Sequence, residues 1–187
     1  MSTPDTLSRS LLTAEDLPYV MPDEMICELV RGELICESLP GELHGRVAAT
    51  VLFHLAHFVR EHRLGRIYAA ETGFVLARGP DTVRGPDVAF VSADRAGGPR
   101  PGPFFEGAPD LAVEVLSPGN TKREIADKTR DYFAGGAQAV WVIDPNAETA
   151  TVHLPKRAPE TLMQGSALDG GAVLPGFHLA LAELFDE

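Results

Sequence analysis

The segment Leu111-Ala112-Val113-Glu114-Val115-Leu116 reads as a central strand carrying an acid inside an apolar run. A carboxylate there is costly unless it is paired, hydrogen-bonded or bound to a cation. Alternation along a strand puts Asp110, Ala112, Glu114 and Leu116 on one face and Leu111, Val113 and Val115 on the other. Asp87 poses the same problem, between Pro86 and the run Val88-Ala89-Phe90-Val91. Taken alone, Asp87 reads first as a strand-end aspartate caught by backbone amides. Two such acids on central strands shift the balance, because adjacent carboxylates repel each other unless a cation intervenes. Oxygen ligands favour a hard divalent ion, Mg2+ or Mn2+. Lys128 lies three residues after Ile125 and four before Tyr132, at the edge of the less polar stripe of a helix. Its ammonium can reach towards the sheet that carries Glu114 or out to water, and helix geometry leaves both open. Lys122, in the first turn of that helix, gains nothing from the helix dipole; it is the weaker catalytic candidate and a candidate phosphate contact.

These residues need elements to hold them. Met25 to Glu37 reads as a hairpin turning at Arg31-Gly32, with Cys27, Leu29, Leu34 and Cys36 on one face and Glu28, Val30, Glu33 and Ile35 on the other. Cys27 and Cys36 are then direct cross-strand partners, close enough to oxidise. In the absence of a secretory signal the expectation is a reduced pair. Residues 44–62 carry Val47, Val51, Leu52, Leu55, Phe58 and Val59 at helical spacing, and Gly65 is the expected stop. Strands are expected over 66–77, 86–91 and 110–116. Thr121 with Glu124 forms a capping box that opens a second helix, closed by Gly135-Gly136. Residues 139–143 and 149–154 read as two more strands; 93–109 and 155–172 read as irregular. The strand-helix-strand unit over 110–143 implies a crossover between parallel strands and an α/β or α+β mixed sheet.

Bulk composition narrows the classes. The chain has 187 residues, 44% of them hydrophobic, which suits a loose N-terminus over 1–12 and one packed domain over 13–187. No stretch is apolar enough to span a bilayer, and residues 1–10 lack a secretory signal's apolar run, so a cytoplasmic protein with no membrane partner is the expectation. Sixteen Lys and Arg against 27 Asp and Glu give a net charge of −11. That argues against a surface gripping nucleic acid everywhere and is compatible with acids that hold a cation. Any nucleic-acid contact would need local basic groups, for which Arg84, Arg95, Arg100, Lys122, Arg123 and Arg130 flank the candidate site, although each alone reads first as a solvated charge. His54, His57 and His62 share a helix, but no third ligand for zinc stands at convincing spacing.

The runs Arg84-Gly85-Pro86-Asp87-Val88, Pro109-Asp110-Leu111-Ala112-Val113-Glu114-Val115-Leu116-Ser117-Pro118, Asp127-Lys128 with Tyr132, and Val140-Trp141-Val142-Ile143-Asp144-Pro145 resemble the Uma-two family. Cys27 to Leu34, His44-Gly45, Leu174 to Phe177 and Leu184-Phe185 extend the resemblance over about residues 17–185. The family in turn resembles the PD-(D/E)xK nucleases, which implies a restriction-endonuclease-like mixed sheet with core order αβββαβ, here preceded by the hairpin. By position, Asp87 would be the motif aspartate and Glu114 the second acid. The usual lysine two residues later is replaced by Leu116, and the resemblance implies that Lys128 takes its place. It further implies a metal-dependent phosphodiester hydrolase, a DNA endonuclease, whose Mg2+ or Mn2+ is held by Asp87, Glu114 and the Val115 carbonyl. Glu71, His44 and Lys122 are accessory candidates; for Glu71 and His44 a solvated, capping or packing role is an equal reading. The alternative is a non-catalytic binding protein on the same fold. Weak, salt-sensitive DNA binding and a homodimer suited to two-strand cleavage complete the expectation.

Overall fold

The computed structural model describes residues 11–23, 25–37, 39–70, 72–98 and 102–186. Most of the expected loose start, together with Glu71 and Arg100, lies outside the described residues. In chain order the elements are α1 (Leu17–Val20), β1 (Ile26–Val30), β2 (Glu33–Glu37), α2 (Glu42–His62), β3 (Gly65–Ala69), β4 (Phe74–Ala77), β5 (Thr82–Arg84), β6 (Val88–Ser92), α3 (Ala93–Ala96), β7 (Phe105–Glu106), β8 (Leu111–Val115), α4 (Lys122–Ala134), β9 (Ala139–Asp144), β10 (Thr149–His153), β11 (Glu160–Leu162), β12 (Ala167–Asp169), β13 (His178–Ala180) and α5 (Leu181–Phe185).

A six-stranded mixed sheet, in the order β11-β10-β9-β8-β6-β3, forms the centre. Only β8 and β9 run parallel in it, and α4 supplies their connection. Apolar α2 positions repeat at helical spacing and bury Val47, Val51, Leu55 and Val59 on one sheet face, against Val88, Phe90, Val113 and Trp141. Each such burial contributes roughly 1.5–3 kcal/mol. The other face carries Ala89, Ala112, Val140 and Val142 under Tyr132 of α4. The small side chains Ala89 and Ala112 leave room for the helix to approach. The order α2, β3, β6, β8, α4, β9 is the αβββαβ core, in a mixed α+β architecture with β4 and β5 inserted after its first strand.

The hairpin register is as expected: Arg31 and Gly32 both take positive φ, and Cys27 faces Cys36. Their sulfurs are bonded, in contrast to the expected reduced pair; the direct cross-strand register brings the two Cα atoms to 4.1 Å and the side chains together. Residues 66–77 do not form one strand. The chain leaves the six-stranded sheet after Ala69 and enters a second sheet, β2-β1-β5-β4-β7, at Phe74. At Gly73 a Cβ would lie 2.4 Å from the Phe104 ring, so the crossing point is packed too tightly for a side chain. Helix α2 stops not at Gly65 but at Arg63, whose φ of 55° lets the backbone N–H groups of Arg63 and Leu64 reach the Arg60 and Val59 carbonyls. Gly65 instead permits close strand approach, since a Cβ there would meet the Val91 carbonyl oxygen at 2.1 Å, where β3 lies against β6. The capping box of Thr121 and Glu124 opens α4 as read from the sequence. The stretches expected to be irregular hold short elements: α3 and β7 in the first, β11 and β12 in the second.

Candidate active site

Alternation along β8 sends Leu111, Val113 and Val115 to the α2 side and Ala112 and Glu114 to the α4 side. Glu114 therefore faces α4, where Lys128 and Tyr132 stand one helical turn apart on the same stripe. Its Oε2 accepts from Lys128 Nζ at 3.2 Å, and its Oε1 from the Tyr132 hydroxyl at 2.5 Å. All three side chains are buried. The lysine points inward, not to water.

Asp87 sits in the bend just before β6 rather than within a strand. Its Oδ2 accepts from the Val115 backbone N–H at 2.7 Å, which ties it to the end of β8 beside Glu114. Its Oδ1 lies 3.3 Å from Nε2 of His44, a residue of the first turn of α2. Nδ1 of His44 is buried without a hydrogen-bond partner. Asp87, Glu114, Lys128, His44 and Val115 line one cavity of about 390 Å3, closed on one side by the Ser117–Asn120 turn. The Ser117 N–H donates to Asn120 Oδ1 at 2.8 Å and holds that turn.

Glu28 was not singled out from the sequence, yet it belongs to this cluster. Its Oε2 lies 2.8 Å from Arg84 and 3.5 Å from Lys128 Nζ, and its Oε1 accepts from the Gly85 N–H at 3.0 Å. Arg84 also grips Asp131 of α4 at 2.6 Å. The β1–β5 pairing, Leu29 against Val83, brings Glu28 and Arg84 together. The sequence holds part of the signal, since Glu28 is the one acid in the run Ile26-Cys27-Glu28-Leu29-Val30, but only the fold shows that it is buried.

The electrostatics follow from burial and crowding. Loss of water pushes the Glu114 carboxyl up to about 7; the nearby Asp87 and Glu28 charges add to this, while Lys128 and Tyr132 oppose it. Burial pulls on the Lys128 ammonium, but Glu114 and Glu28 outweigh it and hold it above its ordinary value. Lys128 thus stays charged while Glu114 titrates near neutrality. Contact with Asp87 raises His44, against the opposing effect of burial. Burial, reinforced by Glu114, raises the Tyr132 hydroxyl well above its usual range, so it remains a donor.

The donor set fits a hard divalent ion. Glu28, Glu114 and Asp131 contact two permanent cations, Lys128 and Arg84, and Asp87 adjoins them at Val115. With all four acids ionised and His44 neutral, two negative charges remain, the amount a dication neutralises. Oxygen is the available ligand atom. Among the described residues no group of three or more His, Cys, Asp or Glu side chains is placed to hold a metal. The candidate set of two carboxylates and one backbone carbonyl is not of that kind.

Other expected residues lie elsewhere. Lys122 is exposed and does not line the cavity. Arg84 is buried in its ion cluster rather than solvated. Arg95 pairs with Asp110 at 3.1 Å, and Arg123 and Arg130 both pair with Asp127. Of the cations expected to flank the site, Arg84 and Arg95 are thus neutralised, while Arg123 and Arg130 share one carboxylate. His57 is paired with Glu61, and His62 is hydrogen-bonded to the Phe58 carbonyl.

Fold and cavity together define a nuclease-like α+β protein, with paired acids at adjoining strand ends and a lysine facing them. The chain belongs to the Uma2 family, described as "Putative restriction endonuclease", whose model matches residues 13–182. A solved structure described as "a putative nuclease", from Anabaena variabilis, is similar to it at 21% identity with a TM-score of 0.81, covering 93% of this chain and 97% of the other. At that identity the likeness shows the shared fold. None of the curated proteins matches the chain.

Proposed function

We propose that the chain, acting through a single domain over residues 13–187, is a Mg2+- or Mn2+-dependent phosphodiester hydrolase that cuts nucleic acid, with DNA as the substrate. One arrangement supports the reading: Asp87 from the β6 end, Glu114 from β8 and Lys128 from α4 all face the same cavity. Asp87, Glu114 and the Val115 carbonyl would hold the ion. When bound, such an ion supplies Lewis acidity towards water and phosphate. Lys128, kept charged by Glu28 and Glu114, donates to the attacking water or to a phosphate oxygen and neutralises charge that grows there. Glu28 and Tyr132 fix the two groups that do this work. In the net reaction the water oxygen bonds to phosphorus, the bond to one ester oxygen breaks, and that oxygen leaves with a proton. We further assign the protein to the cytoplasm, as a homodimer, with weak and salt-sensitive DNA binding. No helix among the described residues is long and apolar enough to cross a membrane.

Plasmid nicking tests the reading. Purified protein should nick supercoiled DNA with Mn2+ or Mg2+, and Glu114→Ala should abolish it; cleavage that persists in the mutant rules out this site.

One observation favours a second reading, a non-catalytic binding protein on the same fold. Both Glu114 oxygens already have protein partners, and both Asp87 oxygens are likewise engaged. On that reading a folded sample gives no heat with Mn2+.

A further inference from the structure

The cavity that holds the acids is a poor place for a polyanion to land. Glu28, Glu37, Asp87, Glu114 and Glu124 line it, against Lys128 and His44. Even with a dication bound, its rim offers little attraction to a long phosphate backbone, because that attraction scales with the number of cations that meet phosphates. Of the cations expected beside the cavity, Arg84, Arg95, Arg123 and Arg130 contact acids, which leaves Lys122 as the one without an ion pair among the described residues.

The opposite end of α2 has the reverse character. Arg60 in its last turn, Arg63 at its left-handed cap and Arg66 on β3 are all exposed and border one open hollow of about 550 Å3. Among the described residues no carboxylate is ion-paired with any of the three; Glu61, their nearest acidic neighbour in sequence, lies 3.7 Å from the exposed His57 imidazole instead. The floor between them is small and apolar, with Ala56, Gly65 and Gly97, so a sugar-phosphate chain could lie close to the backbone. Three unpaired guanidinium groups around one hollow repel each other. They are the planar, two-pronged donors that match phosphate oxygens. In a chain with a net charge of −11, they form a local basic patch, complementary to an anionic chain.

We propose that Arg60, Arg63 and Arg66 form a non-catalytic anchor for the nucleic-acid backbone, which holds the substrate so that a distant phosphodiester reaches the acidic cavity. The proposal rests on the nuclease reading and adds where the substrate is gripped. His44 and Arg60 are 16 residues apart on one helix, about 24 Å at 1.5 Å per residue. That is roughly seven base-pair steps. A small diester bound at the acids therefore does not touch the arginines, whereas a longer duplex can occupy both places.

The test is fluorescence anisotropy on the full chain in EDTA, with a duplex of about 20 base pairs over about 50 to 200 mM salt. The variant is Arg60→Gln/Arg63→Asn/Arg66→Gln; asparagine tolerates the left-handed cap that Arg63 occupies. Circular dichroism checks its fold, and Arg66→Gln alone serves if the triple variant does not fold. The triple variant should bind at least tenfold more weakly at the low-salt end. Its salt slope should be shallower by about 2 to 3, at roughly 0.9 per lost phosphate contact. The single variant should lose about a third of that slope. Manganese-dependent hydrolysis of bis(p-nitrophenyl) phosphate should be the same in wild type and variants. Equal affinity and slope in wild type and variant overturn the anchor, as does a wild type that does not bind the duplex. Loss of small-diester hydrolysis in the variant also overturns it, because the arginines would then be acting on the cavity. If wild type hydrolyses no diester but still binds DNA through these arginines, the anchor stands and the nuclease reading fails.

Discussion

Helix α2 begins in an acidic cavity and ends at an arginine hollow, and the two ends use charge in opposite ways. At the start, His44 meets Asp87 within a packed cluster whose acids and cations contact one another and are largely buried. At the end, Arg60, Arg63 and Arg66 are exposed and border an open, apolar floor. Buried charges are expensive and persist only where partners or a ligand compensate them. Exposed like charges cost little and are free to meet a partner. The cavity is therefore suited to precise chemistry on one phosphate and the hollow to loose capture of many. Substitutions should separate the two functions cleanly.

The largest effect is expected from Glu114→Gln. Metal-dependent plasmid nicking should fall by about 10³-fold or more, the scale for removing a group that stabilises charge at the reacting centre, while duplex affinity in EDTA stays near that of wild type. A variant that nicks at the wild-type rate would break the division by moving the chemistry out of the cavity.

Lys128→Met comes next. It leaves Glu28 and Glu114 facing each other without their shared cation and should cost roughly 3–5 kcal/mol in urea unfolding. Arg60→Gln should cost less than about 0.5 kcal/mol, as a surface change does. Equal midpoints for the two variants would show that the cavity charges are no more interdependent than those of the hollow.

The third effect is on pH. Glu114 is pushed up from 4.5 to about 7 in the folded, metal-free protein. Between those values the folded state holds more protons than the unfolded one, so stability from this group is fully present below about pH 4.5 and is lost as pH rises through about 7. The loss should approach roughly 3 kcal/mol. Denaturant titrations at several pH values should show it in wild type and not in Glu114→Gln, and a wild-type curve flat over that window would contradict the crowding of acids at this site. Smallest is the Cys27–Cys36 bond. Its reduction should lower stability by about 1 to 2 kcal/mol, less than for a free loop because the hairpin already fixes the register. A much larger drop, seen as a shifted urea midpoint in reductant, would mean that the bond also supports Glu28 and the cavity.

Local patterns carried the legible part of the fold. The capping box at Thr121 and Glu124, the apolar stripe of α2, the apolar run of β8 and the cross-strand position of the two cysteines all follow from periods and turn residues within a few positions. What depended on distant pairing was hidden. Gly73 is a slight local mark of the chain's passage between sheets from Ala69 to Phe74, and the β1–β5 pairing that carries Glu28 to Lys128 joins residues more than fifty positions apart. The candidate site shows the same divide. Glu114 and Asp87 stand out as acids in apolar runs, and Lys128 was open between sheet and solvent until its neighbours were known. The basic residues were the least legible. Charge counting singles out Arg84, Arg95, Arg100, Lys122, Arg123 and Arg130, four of which have acidic partners, and passes over Arg60, Arg63 and Arg66, which have none among the described residues.

The central claim is that two acids and a buried lysine build a site for a divalent ion, and calorimetric titration of Mn2+ into the metal-free protein tests it most directly. The expected result is one binding site per chain in wild type and none in a folded Glu114→Gln variant. A folded wild type that takes up no manganese, or a variant that binds it equally well, would contradict the account.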